Sequence, residues 1–143
     1  MRLTASFHFD SMQVVAAIIV RDESVLICQR KAGQRYAGKW EFPGGKVEPS
    51  EELTAALQRE LQEELAISAT IGEEIASYEY TYPGRPPIQL VFYKVSKFEG
   101  EPRNLIFEQI HWEKIENLPL YDFLDGDVDF VRNLTRESLS RFG

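Results

Sequence analysis

Cysteine is almost absent from this chain: Cys28 alone occurs in 143 residues, so no internal disulfide can form. Cys28 lies in the apolar run Val25-Leu26-Ile27-Cys28. No base or cation sits beside it to activate the thiol, so it reads as a buried structural group rather than a nucleophile. Positive charge is also short, with 16 Lys and Arg against 23 Asp and Glu and a net charge of −7. That balance argues against a nucleic-acid polymer as partner, because such binding rests on neutralising phosphates with Lys and Arg. A small phosphorylated ligand stays open, provided metal ions neutralise the carboxylates that face it. No apolar run approaches the roughly 20 residues that span a bilayer, so no membrane partner is expected. Met1 to Asp10 lacks the basic segment and apolar stretch of a signal peptide. A reducing cytoplasmic setting is the expectation. Repeats, low-complexity stretches and linkers are missing too, and the reading is one domain over 1–143, as a monomer or homodimer.

What is present is a mixture of strand and helix patterns. Gln13 to Val20 is almost continuously apolar and β-branched, which suits a strand buried on both faces. Arg21-Asp22-Glu23-Ser24 is a polar turn and Val25 to Arg30 resumes as a strand, predicting a hairpin. Lys31 to Gly38 reads as a loop, and Trp40-Glu41-Phe42 as a short strand that stops at Pro43-Gly44-Gly45. Ser50 to Leu65 is the clearest helix, with Ser50 as its cap. Glu73 to Tyr82 and Ile88 to Phe98 are strands around the proline-rich turn Pro83 to Pro87, and Ile110 to Ile115 is another. Asp127 to Arg141 reads as a final helix, although Leu139 falls off its apolar stripe. The fold class is α/β (α+β), with a mixed β-sheet and at least two helices.

The glutamates of the 50–65 helix carry the chemical signal. At about 100° per residue, Glu60 and Glu64 fall within the arc of Leu53, Leu57 and Leu61, while Glu63 and Arg59 lie on the adjoining edge. A charge-rich helix ordinarily presents a solvated face, and Glu51, Glu52 and Gln62 can supply one. Glu60 and Glu64 cannot, because they share the arc that must face the core. A buried carboxylate must be paired, protonated or metal-bound. Clustered hard oxygen ligands suit Mg²⁺ or Mn²⁺ rather than zinc, which would prefer His or Cys. On geometry alone, a plain ion-pair network is the alternative.

The stretch Gly45 to Ile67 resembles the Nudix box: Gly, five residues, Glu, seven residues, then Arg-Glu-apolar-x-Glu-Glu-x-Gly-apolar. Gly45, Glu51, Arg59-Glu60-Leu61, Glu63-Glu64 and Ile67 match, and Ala66 replaces the Gly that ends the family's helix. The resemblance implies a Nudix-type α/β/α sandwich. It implies Glu60, Glu63 and Glu64 as metal ligands with the Gly44 carbonyl, Mg²⁺ (or Mn²⁺) as cofactor, Arg59 as the brace of a glutamate, and Glu51 in a structural or outer role. Glu63, Glu64 and Arg59 would then serve catalysis. Relatives draw a further base from beyond the box, where Glu108 is the candidate and His111 the competitor.

Lys39 to Glu48 (KWEFPGGKVE) further resembles the MutT-type branch, which hydrolyses nucleoside triphosphates to monophosphate and pyrophosphate. That likeness implies a small-molecule nucleotide partner of the 8-oxo-dGTP or CTP type and a role in nucleotide-pool sanitation. By position it puts Arg30, Phe42, Arg85 and Asp127 at the substrate. Each has a plainer alternative: Asp127 as a helix cap, Phe42 as core, Arg30 as a solvated cation. Pro83, sixteen residues past Ile67, is a weak mark of ADP-ribose enzymes and has an obvious turn role. A different Nudix hydrolase, acting on ADP-ribose, a dinucleotide polyphosphate or a nucleotide sugar, is therefore carried as an alternative. A non-catalytic Nudix binding module is the other.

Overall fold

A computed structural model describes residues 12–140. Met1 to Asp10, and Arg141 at the end of the predicted last helix, lie outside the described residues. The chain runs β1 (Met12–Arg21), β2 (Ser24–Gln29), β3 (Trp40–Glu41), β4 (Gly44–Lys46), α1 (Leu53–Leu65), β5 (Ser68–Thr70), β6 (Glu74–Tyr80), β7 (Ile88–Val95), β8 (Lys97–Glu99) and β9 (Gln109–Lys114). Two 3-10 turns, Ile115–Leu120 and Asp125–Asp127, lead into α2 (Val128–Asn133) and α3 (Arg136–Ser140). Among the described residues no helix is long and apolar enough to cross a membrane.

The sheet is mixed and built around β1. This strand pairs parallel with β7 along most of its length, antiparallel with β4 through Val14 to Ala16, and antiparallel with β2 at its far end. β2 carries β3 and β9, and β6 borders β7. Period-two alternation in β1 then feeds two cores. Val15, Ala17 and Ile19 point to α1, meeting Leu57, Leu61 and Leu65. Ala16 and Ile18 point to the opposite layer with Phe92, Phe130, Val131 and Leu139. The result is the α/β/α sandwich expected. Asp22 and Glu23, at φ 51° and 68°, make the hairpin turn with both central residues left-handed, matching the strands' twist.

Several boundaries differ from expectation. Helix α1 starts at Leu53, not Ser50: Ser50 turns through φ 67° and Glu52 stands at the N-cap without a side-chain bond. Pro43-Gly44-Gly45 does not end pairing, because Gly44–Lys46 forms β4 against β1. The predicted strand to Phe98 breaks at Ser96, and Lys97–Glu99 pairs instead with Ser68–Thr70, a strand too short for periodicity to register. The last predicted helix is two helices. Leu134 is extended, and Thr135 and Ser138 exchange side-chain-to-backbone hydrogen bonds of 3.0 Å, restarting the helix. The apolar stripe resets there, which is why Leu139 is buried.

Candidate active site

A cleft of about 430 Å³ opens at one end of the sheet. Its walls include Gly44, Gly45 and Glu64 as well as Tyr82, Leu124 and Asp127. Glu41, which lines it with Arg30 and Phe42, is close enough to both Glu64 and Asp127 to act on their charge. β4 brings the two glycines over α1, and each is there for a steric reason. Gly44 has φ 153°, and a Cβ on it would stand 2.0 Å from the Val15 carbonyl oxygen. A Cβ on Gly45 would stand 2.5 Å from the Glu60 carboxyl. Only bare backbone lets β4 sit this close to the acidic side chains of α1.

The arc drawn from the sequence matches the burial observed. Glu64 is 7% exposed, the Glu60 side chain 15% and the Glu63 side chain 58%. The Gly44 N–H donates to Glu64 Oε1 at 3.2 Å. Burial, and then the hydrogen-bonded Glu60 carboxyl beside it, push the Glu64 carboxyl up to about 10. Two adjacent carboxyls in such a place need a proton or a cation between them. Among the described residues no three His, Cys, Asp or Glu side chains are closed to metal-holding geometry. Glu60 and Glu64 converge, while Glu63 stands at the outer edge.

Arg59 is the organiser of that edge. Its Nε and Nη2 donate to both oxygens of Glu51 at 2.9 and 3.0 Å, its Nη2 to the Lys46 carbonyl at 3.1 Å, and its Nη1 to Glu60 Oε2 at 3.2 Å. Glu63 Oε1 lies farther off, at 3.5 Å from Nη1. Arg59 thus braces several glutamates, and Glu63 by the longest of these contacts. The forked pair with Glu51 is the strongest, and it holds the Glu51 carboxyl down near 2. Through Arg59, the strand carrying the glycines and the helix carrying the glutamates are locked together.

Farther along, Arg30 Nη1 reaches both oxygens of Glu41 at 3.2 and 3.1 Å, and Arg30 Nε donates to the Arg35 carbonyl at 2.8 Å. The Glu41 carboxyl is nonetheless raised by burial, which outweighs Arg30. Phe42 is both core and cleft wall: it is 3% exposed and stacks on Phe123 at 5.2 Å. Arg85 is exposed at the rim. Asp127 is 6% exposed; it stands at the N-cap position of α2, but its side chain makes no capping hydrogen bond. No hydrogen bond to its carboxyl exists among the described residues, and no fully enclosed side-chain oxygen there lacks a partner, so its oxygens open onto the cleft. Burial, with Glu41 nearby, raises it to about 8.

Glu108 is not brought to the cleft wall. Its side chain is exposed, its N–H is tied to the Gln29 carbonyl at 2.9 Å, and its neighbours Ile106 and Phe107 line the cleft instead. His111 faces Glu113 at 3.5 Å on β9, also off the cleft. Sequence reasoning missed Glu41 and Tyr82. The Tyr78-x-Tyr80-x-Tyr82 alternation was the available signal for the second, since period two puts all three on one face.

The NUDIX domain family matches residues 11–134. The chain belongs to the NUDIX domain family. It is a Nudix hydrolase of the MutT type, in a family whose hydrolases generally use divalent metals. A relative named CTP pyrophosphohydrolase, from Escherichia coli (strain K12), is 43% identical over 120 residues, covering 84% of this chain and 88% of that protein. An 8-oxo-dGTP diphosphatase from Haemophilus influenzae is 34% identical over 126 residues, covering 87% and 92%. Among solved structures, a MutT NUDIX hydrolase from Burkholderia pseudomallei superposes with a TM-score of 0.79 at 27% identity, covering 88% and 99%. The names of these relatives place the chemistry at phosphoric anhydride bonds. The Nudix box thus coincides with the glycine-lined acidic wall of the cleft.

Proposed function

We propose that this Nudix hydrolase is a Mg²⁺-dependent nucleoside triphosphate pyrophosphohydrolase that favours cytosine nucleotides, releasing monophosphate and pyrophosphate. The observation that carries the base assignment is Asp127, a buried carboxyl with no hydrogen-bond partner among the described residues, opening onto the same cleft as Glu64. Raised to about 8, it is protonated at neutral pH and offers one donor and one acceptor. Those complement the N3 acceptor and N4 amino donor of cytosine. Ionised, it would offer two acceptors, which complement the N1–H and N2 amino donors of guanine. The 43% identity to a protein named CTP pyrophosphohydrolase supports the first pairing.

The donor set fits a hard divalent cation. Glu60 and Glu64 converge as oxygen ligands, Gly45 leaves room beside them, and Glu63 and the Gly44 carbonyl complete the set we assign. When bound, such an ion neutralises polyphosphate charge and lowers the pKa of an attacking water. With the ion bound, Glu64 would be ionised, and, held at one oxygen by the Gly44 N–H, it could accept a proton at the other. Arg59 keeps Glu60 and Glu63 on the shared edge. Arg30 and Arg85 supply positive charge along the cleft, and Phe42 supplies its apolar floor. Glu108 does not line the cleft, so Glu64 is preferred. One domain over 1–143, acting in the cytoplasm as a monomer or homodimer, completes the proposal.

The test is product release from CTP, dCTP, dGTP, 8-oxo-dGTP, ADP-ribose and diadenosine tetraphosphate with Mg²⁺, with and without chelator. Pyrophosphate and CMP from CTP, abolished by chelator, is the expected result. Preference for 8-oxo-dGTP would move the assignment to the ionised Asp127. Cleavage of ADP-ribose or the dinucleotide alone would overturn the triphosphate reading.

A further inference from the structure

Asp127 has no side-chain hydrogen bond among the described residues, so nothing on its own carboxyl aims it into the cleft. It also lies in an irregular segment, at the last position of a three-residue 3-10 turn. Its direction must therefore come from the backbone, and that backbone is gripped from two sides. On one side Trp40 N–H donates to the Asp122 carbonyl and Leu124 N–H donates to the Trp40 carbonyl, both at 2.9 Å, while Lys39 Nζ reaches Asp122 at 2.8 Å.

The other side is held by two tyrosines. The Tyr78 hydroxyl donates to the Gly126 carbonyl at 2.6 Å, and the Gly126 N–H donates to the Tyr82 hydroxyl at 2.9 Å. Both polar groups of the residue just before Asp127 are thus taken by side chains from β6 and its continuation. The approach is close: a Cβ on Gly126 would lie 2.8 Å from the Tyr82 hydroxyl, 3.2 Å from Tyr80 and 3.3 Å from Leu90, and would push on the tyrosine that grips this residue. Tyr82 is anchored in turn, its ring 4.8 Å from Tyr80 and 5.0 Å from Tyr36 of the 31–38 loop. The hydroxyls need these rings to hold their positions.

We propose that Tyr78 and Tyr82 are positioning residues for nucleobase selection, gripping Gly126 by its C=O and N–H and so aiming the Asp127 carboxyl at the base. This rests on the reading of Asp127 as the base contact. A carboxyl that turns with its backbone loses a two-point match to a base edge, so discrimination suffers more than general binding.

The experiment compares kcat/KM for CTP and dGTP in wild type, Tyr82→Phe, Tyr78→Phe, Asp127→Ala and the Tyr82→Phe/Asp127→Ala pair. Hydrogen exchange of the Gly126 amide is followed by NMR in the first three. Phenylalanine keeps the ring contacts and removes only the hydroxyl. Tyr82→Phe should lower the CTP-over-dGTP ratio about tenfold and speed Gly126 exchange, and Tyr78→Phe should lower the ratio in the same direction. In the Asp127→Ala background, Tyr82→Phe should leave the ratio where Asp127→Ala set it. A Tyr82→Phe ratio equal to wild type, an equal loss on both nucleotides, or a full further loss in the Asp127→Ala background would overturn the clamp. If Asp127→Ala itself keeps the wild-type ratio, the base-contact reading fails, and the clamp falls with it whatever Gly126 exchange does.

Discussion

Gly45 lies against Glu60 so closely that a Cβ would stand 2.5 Å from both Cδ and Oε2 of that carboxyl. The glycine that opens the Nudix box therefore leaves the glutamate at its centre in the place it occupies. In Gly45→Ala the Glu60 side chain must swing away, since β4 is tied to β1 and the glutamate is the softer partner. Metal affinity, measured by Mn²⁺ titration, should fall between about 10- and 100-fold with turnover following it. Wild-type affinity would mean that Glu60 is not a ligand.

Glu64→Gln keeps size and the contact with the Gly44 N–H while removing the charge and the basic oxygen. Turnover of CTP at saturating Mg²⁺ should drop by orders of magnitude, with cooperative thermal unfolding retained. A rate near wild type would remove Glu64 from the reaction.

The raised Asp127 carboxyl gives a pH signature. On the proposed assignment Asp127 would favour cytosine while protonated, so kcat/KM for CTP should decline as pH rises through about 8. A carboxamide in its place keeps donor and acceptor together at every pH, so Asp127→Asn should remove that decline. Stability carries the same sign. From about 3.8, where the unfolded chain releases this proton, up to about 8, the folded state binds more protons, so wild type should lose stability relative to Asp127→Asn as pH rises. Parallel pH profiles for the two proteins would contradict the assignment.

Ala66 ends α1 in the left-handed region, at φ 58° and ψ 36°, with its N–H donating to the Gln62 carbonyl at 3.1 Å. The helix stops as a glycine would stop it, but with a Cβ in the way. Ala66→Gly should stabilise the fold by about 0.5–1 kcal/mol, the relief of the left-handed strain exceeding glycine's entropic cost. Urea unfolding midpoints decide the sign.

Much of the architecture is legible in the sequence because it is periodic. The four-residue recurrence of leucines places Glu60 and Glu64 on the inward arc, and the apolar run of β1 announces a strand buried on both faces. Departures gather where side chains override local pattern. Ser50 does not cap α1, because the chain turns there and Arg59 claims Glu51 next door. Leu139, off the stripe of Phe130 and Val131, is the one trace in the pattern of the break between α2 and α3, where Thr135 and Ser138 exchange the bonds that restart the helix.

The sequence by itself determined the family, the acidic helix and the glycines beside it, since these residues lie within one short segment, with the glutamates at fixed helical spacing. Only the tertiary structure decided what happens elsewhere in the cleft. Asp127 reads equally well as a helix cap or a base contact until burial is known, and it proves to be buried, without a capping bond or other side-chain hydrogen bond among the described residues, and open to the cleft. Tyr82 meets Gly126 across 44 residues, and Arg30 meets Glu41 across 11. Spacing along the chain encodes which face a residue takes; which distant residues share that face is set by how the strands pair and the layers pack.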